Sequence, residues 1–301
     1  MKVAVLMSTY NGEKYIREQI DSILSQEGNF QIDLWIRDDG STDSTRDILQ
    51  KYKKTKRLNW FTGENLGPAR SYMNLLHHCK GYDFYAFSDQ DDFWLPEKLQ
   101  RGISFIKKEK LPALYFANAQ LVDADLNYLG RNVYEKSPKL DIYTVSCAGG
   151  LLGCTMVFNK VLAVKIQEKP IPLRMVMHDF YTASACLVTG GKIFYDKMAS
   201  MKYRQHGENV VGVSCGLKNK IVSRVKAITK KNPVSIADQA ESLISNYKED
   251  MDENVLKWIY SVADYPTKLK SRIGVSLSPK VRYINFNMGL KNRVAILLGN
   301  R

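Results

Sequence analysis

Apolar runs separated by amphipathic stretches set the plan of the first hundred residues. Val3 to Met7 is an unbroken apolar run inside Lys2 to Ser8, as in a strand buried on both faces, and Tyr15, Ile16, Ile20, Ile23 and Leu24 then share one helical face. Ile32 to Arg37 reads as a second strand. It ends in Asp38-Asp39-Gly40-Ser41-Thr42-Asp43, a turn-and-cap cluster before a helix carrying Ile48, Leu49 and Tyr52. A short strand over Leu58 to Thr62, a helix over Gly67 to His78 and a strand over Phe84 to Ser88 follow. Strands alternating with helices of this length predict an α/β fold with right-handed crossovers and a mostly parallel sheet flanked by helices. Ligands bind such sheets beyond the carboxyl ends of the strands, so Ser8 to Asn11, Asp38 with Asp39, and Asp89 to Asp92 are predicted to converge.

The second half is less regular. Ala113 to Val122 reads as a strand, the polar turn Asp123 to Asn127 as a hairpin, and Met156 to Phe158, after Gly149, Gly150 and Gly153, as a further strand. Those glycines would let backbone pass close to a bound ligand, or simply bend a strand. Met177-His178-Asp179-Phe180 opens an apolar helix through Tyr181, Ala185 and Leu187, and a strand signal from Ala199 leads into Met201-Lys-Tyr-Arg-Gln-His-Gly-Glu-Asn. Beyond Gly216 the pattern is amphipathic and helical, with Ile221, Val225 and Ile228 on one face and Leu243, Ile244 and Tyr247 on another.

Composition narrows the function classes. At 301 residues and 45% hydrophobic, the chain can bury one large core and a smaller appendage. Five cysteines, none spaced Cys-x-x-Cys, indicate neither a disulfide framework nor a zinc site and suit a reducing cytoplasm. No apolar run reaches the ~18 residues of a membrane span, and the first apolar run is too short for a signal peptide. The net charge is +13, of which residues 216–301 hold +9, from 16 Lys and Arg against 7 Asp and Glu. Such an excess attracts polyanions, but no nucleic-acid motif accompanies it, so nucleic acid is not an expected partner. Lys218, Lys220, Arg224, Lys226, Lys230 and Lys231 around Ile221, Val225 and Ile228 allow that segment either to lie on an anionic bilayer or to pack on the rest of the chain.

The chemistry gathers at Phe84 to Trp94. Three carboxylates, Asp89, Asp91 and Asp92, fall within four positions at a strand end, where their repulsion is relieved by a divalent cation such as Mg²⁺ or Mn²⁺ held together with substrate phosphates. An acidic turn capping the next helix is the other reading of the same residues. Tyr10 can stack on a base, Asp39 can accept the imide N–H of uracil or thymine or else cap a helix, and Arg70 can meet a phosphate or the base. Neither a Gly-x-Gly-x-x-Gly motif nor a P-loop is present.

Val3-Ala-Val-Leu-Met-Ser-Thr-Tyr-Asn-Gly, Trp35-Ile-Arg-Asp-Asp-Gly-Ser-Thr-Asp, Asn65-Leu-Gly and Ser88-Asp-Gln-Asp-Asp-Phe-Trp-Leu-Pro, in this order, resemble glycosyltransferase family 2, the inverting GT-A enzymes. The resemblance implies a Rossmann-like nucleotide-binding half over about 1–110, an acceptor half over about 111–215 and, beyond this 1–215 catalytic domain, a basic helical extension over 216–301. It implies a UDP- or dTDP-sugar donor, with Ser8, Tyr10, Asp39 and Arg70 along the nucleotide and Asp89 and Asp91 at the diphosphate and metal, Asp92 being a further candidate ligand. Asp179 resembles the family's general base. Tyr203-Arg-Gln-His-Gly-Glu-Asn looks like a rhamnosyltransferase-type branch, which would make His206 a third metal ligand or a diphosphate contact and Arg204 a cation for the leaving group. The acceptor would be a glycan or a lipid-linked saccharide, and the enzyme cytoplasmic or peripheral on the inner face of the membrane. A sugar-phosphate nucleotidyltransferase and a non-enzymatic anion-binding protein are the alternatives.

Overall fold

A computed structural model of the protein describes residues 1–55, 57–206, 234–284 and 286–299. β1 (Lys2–Thr9), β2 (Gln31–Asp38), β3 (Asn59–Thr62) and β4 (Phe84–Ser88) are joined by α1 (Ile16–Leu24), α2 (Thr45–Lys54) and α3 (Gly67–His78). These four strands lie parallel in the order β3-β2-β1-β4. The sheet continues through β8 (Val157–Asn159), β6 (Ala113–Val122), β9 (Lys192–Arg204) and the short β5 (Phe93–Trp94). β6 and β9 run parallel to each other, whereas β8 is antiparallel to both its neighbours, β5 is antiparallel to β9, and β7 (Tyr128–Asn132) closes the predicted hairpin on β6. The sheet is therefore mostly parallel, as the alternating pattern predicts.

Alternate residues of the buried strands feed two cores. In β1, Ala4 and Leu6 face one side and Val3, Val5 and Met7 the other; β4 divides Tyr85 and Phe87 from Phe84 and Ala86 in the same way. α1, α2 and α4 (Lys98–Ile106) cover the second face with Ile16, Ile20, Ile48, Leu49, Leu99 and Ile103. The first face is covered by α3, α5 (Ile142–Ala148), α6 (Lys160–Gln167) and α7 (His178–Val188).

Four later helices, α8 (Ile236–Tyr247), α9 (Glu253–Asp264), α10 (Leu269–Ser276) and α11 (Phe286–Leu297), join that same core. Leu243 and Tyr247, expected to share an amphipathic face, are buried in it with Ile236, Ile259, Val262 and Tyr265. The expected membrane-binding segment around Ile221, Val225 and Ile228 lies outside the described residues. Among the described residues no helix is long and apolar enough to cross a membrane, and no disulfide joins Cys79, Cys147, Cys154 or Cys186.

Three local departures from the sequence pattern have physical causes. β9 begins at Lys192, well before Ala199, because Lys192, Asp196, Lys197 and Lys202 interrupt its apolar positions; buried Asp196 is nevertheless held by Arg101 at 2.5 Å and the Tyr115 hydroxyl at 3.2 Å. β5 has only two residues and no periodicity to read. The cap cluster Asp38 to Asp43 divides its labour: Asp43 accepts from Thr45 N at the start of α2, but Asp39 accepts from Leu66 N (3.0 Å) and Gly67 N (2.9 Å), capping α3 instead.

Candidate active site

The carboxyl ends of β1, β2 and β4 bring together the three loops predicted to converge. Gln90 ties the first to the last: its Oε1 accepts from Thr9 Oγ1 (2.5 Å) and Tyr10 N (2.9 Å), and its Nε2 donates to Tyr10 O (3.2 Å). The Tyr10 ring is left 48% exposed at the rim, where a planar ring could lie against it. Asn11 has φ 49°, a left-handed turn held by Asn11 N donating to Ser41 Oγ and Thr42 N donating to Asn11 Oδ1. Ser8 Oγ lies 2.6 Å from Ser71 Oγ on α3.

Asp38 and Asp39 have separated roles. Burial works against the charge of Asp38, yet bonds from Ser41, Arg46 and Thr62 keep its pKa below the usual value, so it anchors the loop. Asp39 is 3% exposed and pairs with buried Arg37, itself bonded to Ser71 Oγ and Glu64 O. Among the described residues, Oδ1 of Asp39 takes bonds from Arg37 and Leu66, while Oδ2 takes one, from Gly67; a carboxylate oxygen has two acceptor sites, so Oδ2 can accept a further bond. Arg70, one turn into α3, presents a buried Nε with no hydrogen-bond partner among the described residues.

The acidic loop splits its carboxylates two ways. Asp91 Oδ2 lies 2.7 Å from His206 Nε2, joining two of the expected metal residues. Asp92 is fully buried: one oxygen accepts from Arg204 N at 3.1 Å, and the other has no hydrogen-bond partner among the described residues. Donor atoms of Asp89, Asp92 and Cys154 lie within 4.8 Å of one another. Burial, with the charge of Asp91, raises Asp89 to a pKa of about 6; burial, with the charges of Asp91 and Asp89, also raises Asp92 well above the usual carboxyl value. Among the described residues the expected ligands are thus divided: Asp91 and His206 form a pair of their own, outside the group of Asp89, Asp92 and the Cys154 thiol. The carboxylate oxygens, partly unsatisfied and mutually repelling, suit a hard cation such as Mn²⁺ or Mg²⁺. Cys154 is a neighbour the cysteine spacing could not reveal.

Arg204 does not point a free charge at this cluster. Its guanidinium, 2% exposed, contacts Glu18, the carbonyls of Asp91 (2.8 Å) and Ala124, and the Tyr15 ring at 4.4 Å. It holds the backbone of Asp91 rather than opening toward solvent.

Asp179 stands in the first turn of α7, accepting from Phe180 N (2.6 Å) and Gly153 N (3.2 Å). Burial, together with the charge of Asp89, raises its pKa to about 7. Adjacent His178 is buried and stacks on Tyr72 at 3.8 Å, and burial lowers its pKa to about 3. The Tyr72 hydroxyl lies 2.6 Å from Ser88 O and 2.8 Å from Asp89 Oδ1, so one aromatic pair links the acidic loop to the start of α7. Tyr72 and His178 escaped sequence reasoning, since apolar helix faces give no sign of a stack between two helices.

A nucleotide-type sheet edge with clustered carboxylates, and a separate carboxylate poised near neutral pH, defines a group-transfer enzyme. The sequence matches the model for glycosyl transferase family 2 over residues 4–151. It is 29% identical over 229 residues to the dTDP-rhamnosyl transferase RfbG of Shigella flexneri, covering 71% of this chain and 76% of that protein. It is 32% identical over 175 residues to TuaG of Bacillus subtilis, a glycosyltransferase named for teichuronic acid biosynthesis, covering 57% and 68%. The chain belongs to glycosyltransferase family 2. Membership sets aside the nucleotidyltransferase and anion-binding alternatives. The fold is that of S. aureus TarS 1–349, solved with UDP-GlcNAc (TM-score 0.57, 20% identity, 93% of this chain and 77% of that one). It is also that of the mannosyltransferase PcManGT from Pyrobaculum calidifontis, solved with GDP-Man and Mn²⁺ (TM-score 0.55, 13% identity, 98% and 74%).

Proposed function

We propose that this glycosyltransferase moves a sugar, rhamnose being the favoured one, from a dTDP- or UDP-sugar to a hydroxyl of a glycan or lipid-linked saccharide, with inversion, in cell-surface polysaccharide synthesis. The observation that carries the reading is Asp179: a carboxylate with a pKa of about 7 at the start of α7, coupled through His178 and Tyr72 to the acidic loop. RfbG supports a dTDP-sugar and rhamnose, TuaG a cell-surface polymer, and the TarS complex a uridine nucleotide.

In this reading Tyr10 lies against the base, Ser8 lines the nucleotide, Asp39 Oδ2 accepts its imide N–H, and the unpartnered Arg70 Nε meets a phosphate or base oxygen. Asp89, Asp91 and His206, with Asp92 behind them, would hold Mn²⁺ or Mg²⁺, which when bound neutralises charge on the diphosphate leaving group. Arg204 serves the leaving group at one remove, as a positioning residue that fixes the Asp91 carbonyl. Asp179 accepts the proton of the acceptor hydroxyl as that oxygen attacks the anomeric carbon opposite the departing diphosphate. One displacement inverts the centre, and no covalent intermediate on a second carboxylate is required.

A panel of nucleotides with Mn²⁺ tests the donor. UDP or dTDP, or their sugars, should raise the melting temperature and CDP should not, because cytosine offers no imide N–H to Asp39. Equal stabilisation by CDP removes Asp39 from base reading, and turnover of neither UDP- nor dTDP-sugars overturns the proposal.

A further inference from the structure

The helices after residue 234 close the core with one side and leave another bare. On α10, Val275 and Ser276 turn inward, while Leu269, Ile273 and Leu277 are 68%, 45% and 63% exposed. Spaced by four, they form one stripe along the helix. A methyl group added at Gly274 would meet nothing within 4 Å, so this part of the helix surface is open. Lys268 and Lys270, on either side of Leu269 in the chain, are exposed, and Lys280, exposed as well, lies with its Nζ over the Tyr143 ring at 4.2 Å. α11, which packs on α10, exposes Met288, Leu290 and Leu297 in turn.

Charge indicates what covers the stripe. From Tyr265 to Arg301 the sequence holds eight Lys and Arg and no Asp or Glu. The last acidic residue, Asp264, is paired with Lys268 at 2.8 Å. A second copy docked on the same face would set cations against cations with only Asp264, already paired to Lys268, to relieve them. Aliphatic side chains bordered by lysines suit an anionic bilayer, whose acyl boundary takes the stripe while its headgroups meet the ammonium groups.

We infer that α10 is a membrane-docking helix, entering the interface of an anionic bilayer through Leu269, Ile273 and Leu277 with Lys268 and Lys270 on the headgroups. Its place in the fold suits that role. α10 packs on α9, and α9 packs on α5, where Trp258 Nε1 donates to Ser146 Oγ at 2.9 Å and the 280–282 backbone bonds to Thr144 Oγ1. α5 leads directly to the Gly149–Gly153 turn that donates to Asp179. Docking therefore sets the lipid surface on the side of the molecule that supports the reacting carboxylate, as a lipid-linked acceptor would need. Only this last link to the acceptor rests on the proposed function; docking itself does not.

The test is vesicle co-sedimentation of the full chain, with no donor or acceptor present, so its failure is distinct from a failure of the transferase reading. The protein should sediment with equimolar phosphatidylglycerol–phosphatidylcholine vesicles and stay in solution with phosphatidylcholine alone. Leu269→Ser/Ile273→Ser/Leu277→Ser should weaken binding by about tenfold or more while melting as the wild type does. Lys268→Glu/Lys270→Glu should weaken it too, as should about 0.5 M NaCl, which shortens the screening length. No sedimentation of the wild type, or undiminished binding of the triple serine variant, overturns the inference. So does a wild-type dimer in light scattering that the triple variant abolishes, since the face would then join two copies.

Discussion

Asp179 and Asp91 both act as carboxylates, one by taking a proton and the other by its charge. As the base, Asp179 must be unprotonated, and its pKa lies above that of an ordinary carboxyl, so kcat/KM should rise with pH through about 7 and level off above it. Asp179→Asn keeps the shape but cannot take the proton: donor binding should persist, while kcat falls by roughly 10² to 10⁴ and the rise near pH 7 disappears. Near-normal turnover in that variant would place the base elsewhere. Asp91 acts through its charge. Asp91→Ala removes the partner of His206 and should abolish Mn²⁺-dependent stabilisation by the nucleotide, with the fold intact because Asp91 sits at the cleft rather than in the core. Isothermal titration with and without Mn²⁺ measures this directly, and an unchanged metal effect would exclude Asp91 as a ligand.

At the scale of elements, the site depends on where helices start. α3 begins beneath Asp39, so Asp39→Ala would remove two caps and leave the guanidinium of Arg37 buried without its carboxylate, a loss of roughly 3–5 kcal/mol for a broken buried pair. Chemical denaturation should show that loss even without nucleotide, which is why the choice of base is better tested by the ligand than by this mutation. α7 begins against Gly153. A Cβ there would lie 2.8 Å from Asp179 Cβ and 3.1 Å from His178 Nε2, so Gly153→Ala must push α7 away. Overpacking of this kind costs roughly 1–3 kcal/mol. The variant should melt only modestly lower, yet lose far more in kcat than in donor affinity, since it displaces the base and spares the nucleotide loops.

At the scale of the whole molecule, the C-terminal helices are part of the core on one face of the sheet. Leu243 and Tyr247 are 1% exposed, and Asn246 Nδ2 donates to the Tyr181 hydroxyl of α7 at 2.9 Å. Leu243→Ala should therefore cost about 2–5 kcal/mol, the range for a buried leucine. A chain ending at residue 233 should lose its cooperative melt, having bared the apolar side of α5 and α7; a truncated protein that melts like the full chain would show 234–301 to be an independent appendage.

The parallel half of this protein could be read from the order of its residues. Strands β1 and β4 are continuous apolar runs and the helices keep a 3.6-residue period, local signals that survive because burial on both faces of β1 and β4 demands them. The carboxylates could be read too, since like charges crowded at a strand end call for a counter-ion wherever the chain folds. What folding alone decided is partnership. Asp39 caps the second helix after it, Arg204 spends its charge on Glu18 and two carbonyls, and Cys154 reaches Asp89 and Asp92. Tyr72 meets His178 across 106 positions of chain, and α8 finds α7. Such pairings join residues far apart in sequence, and they follow from which helix faces the sheet brings into contact, a property that no window of neighbouring residues contains.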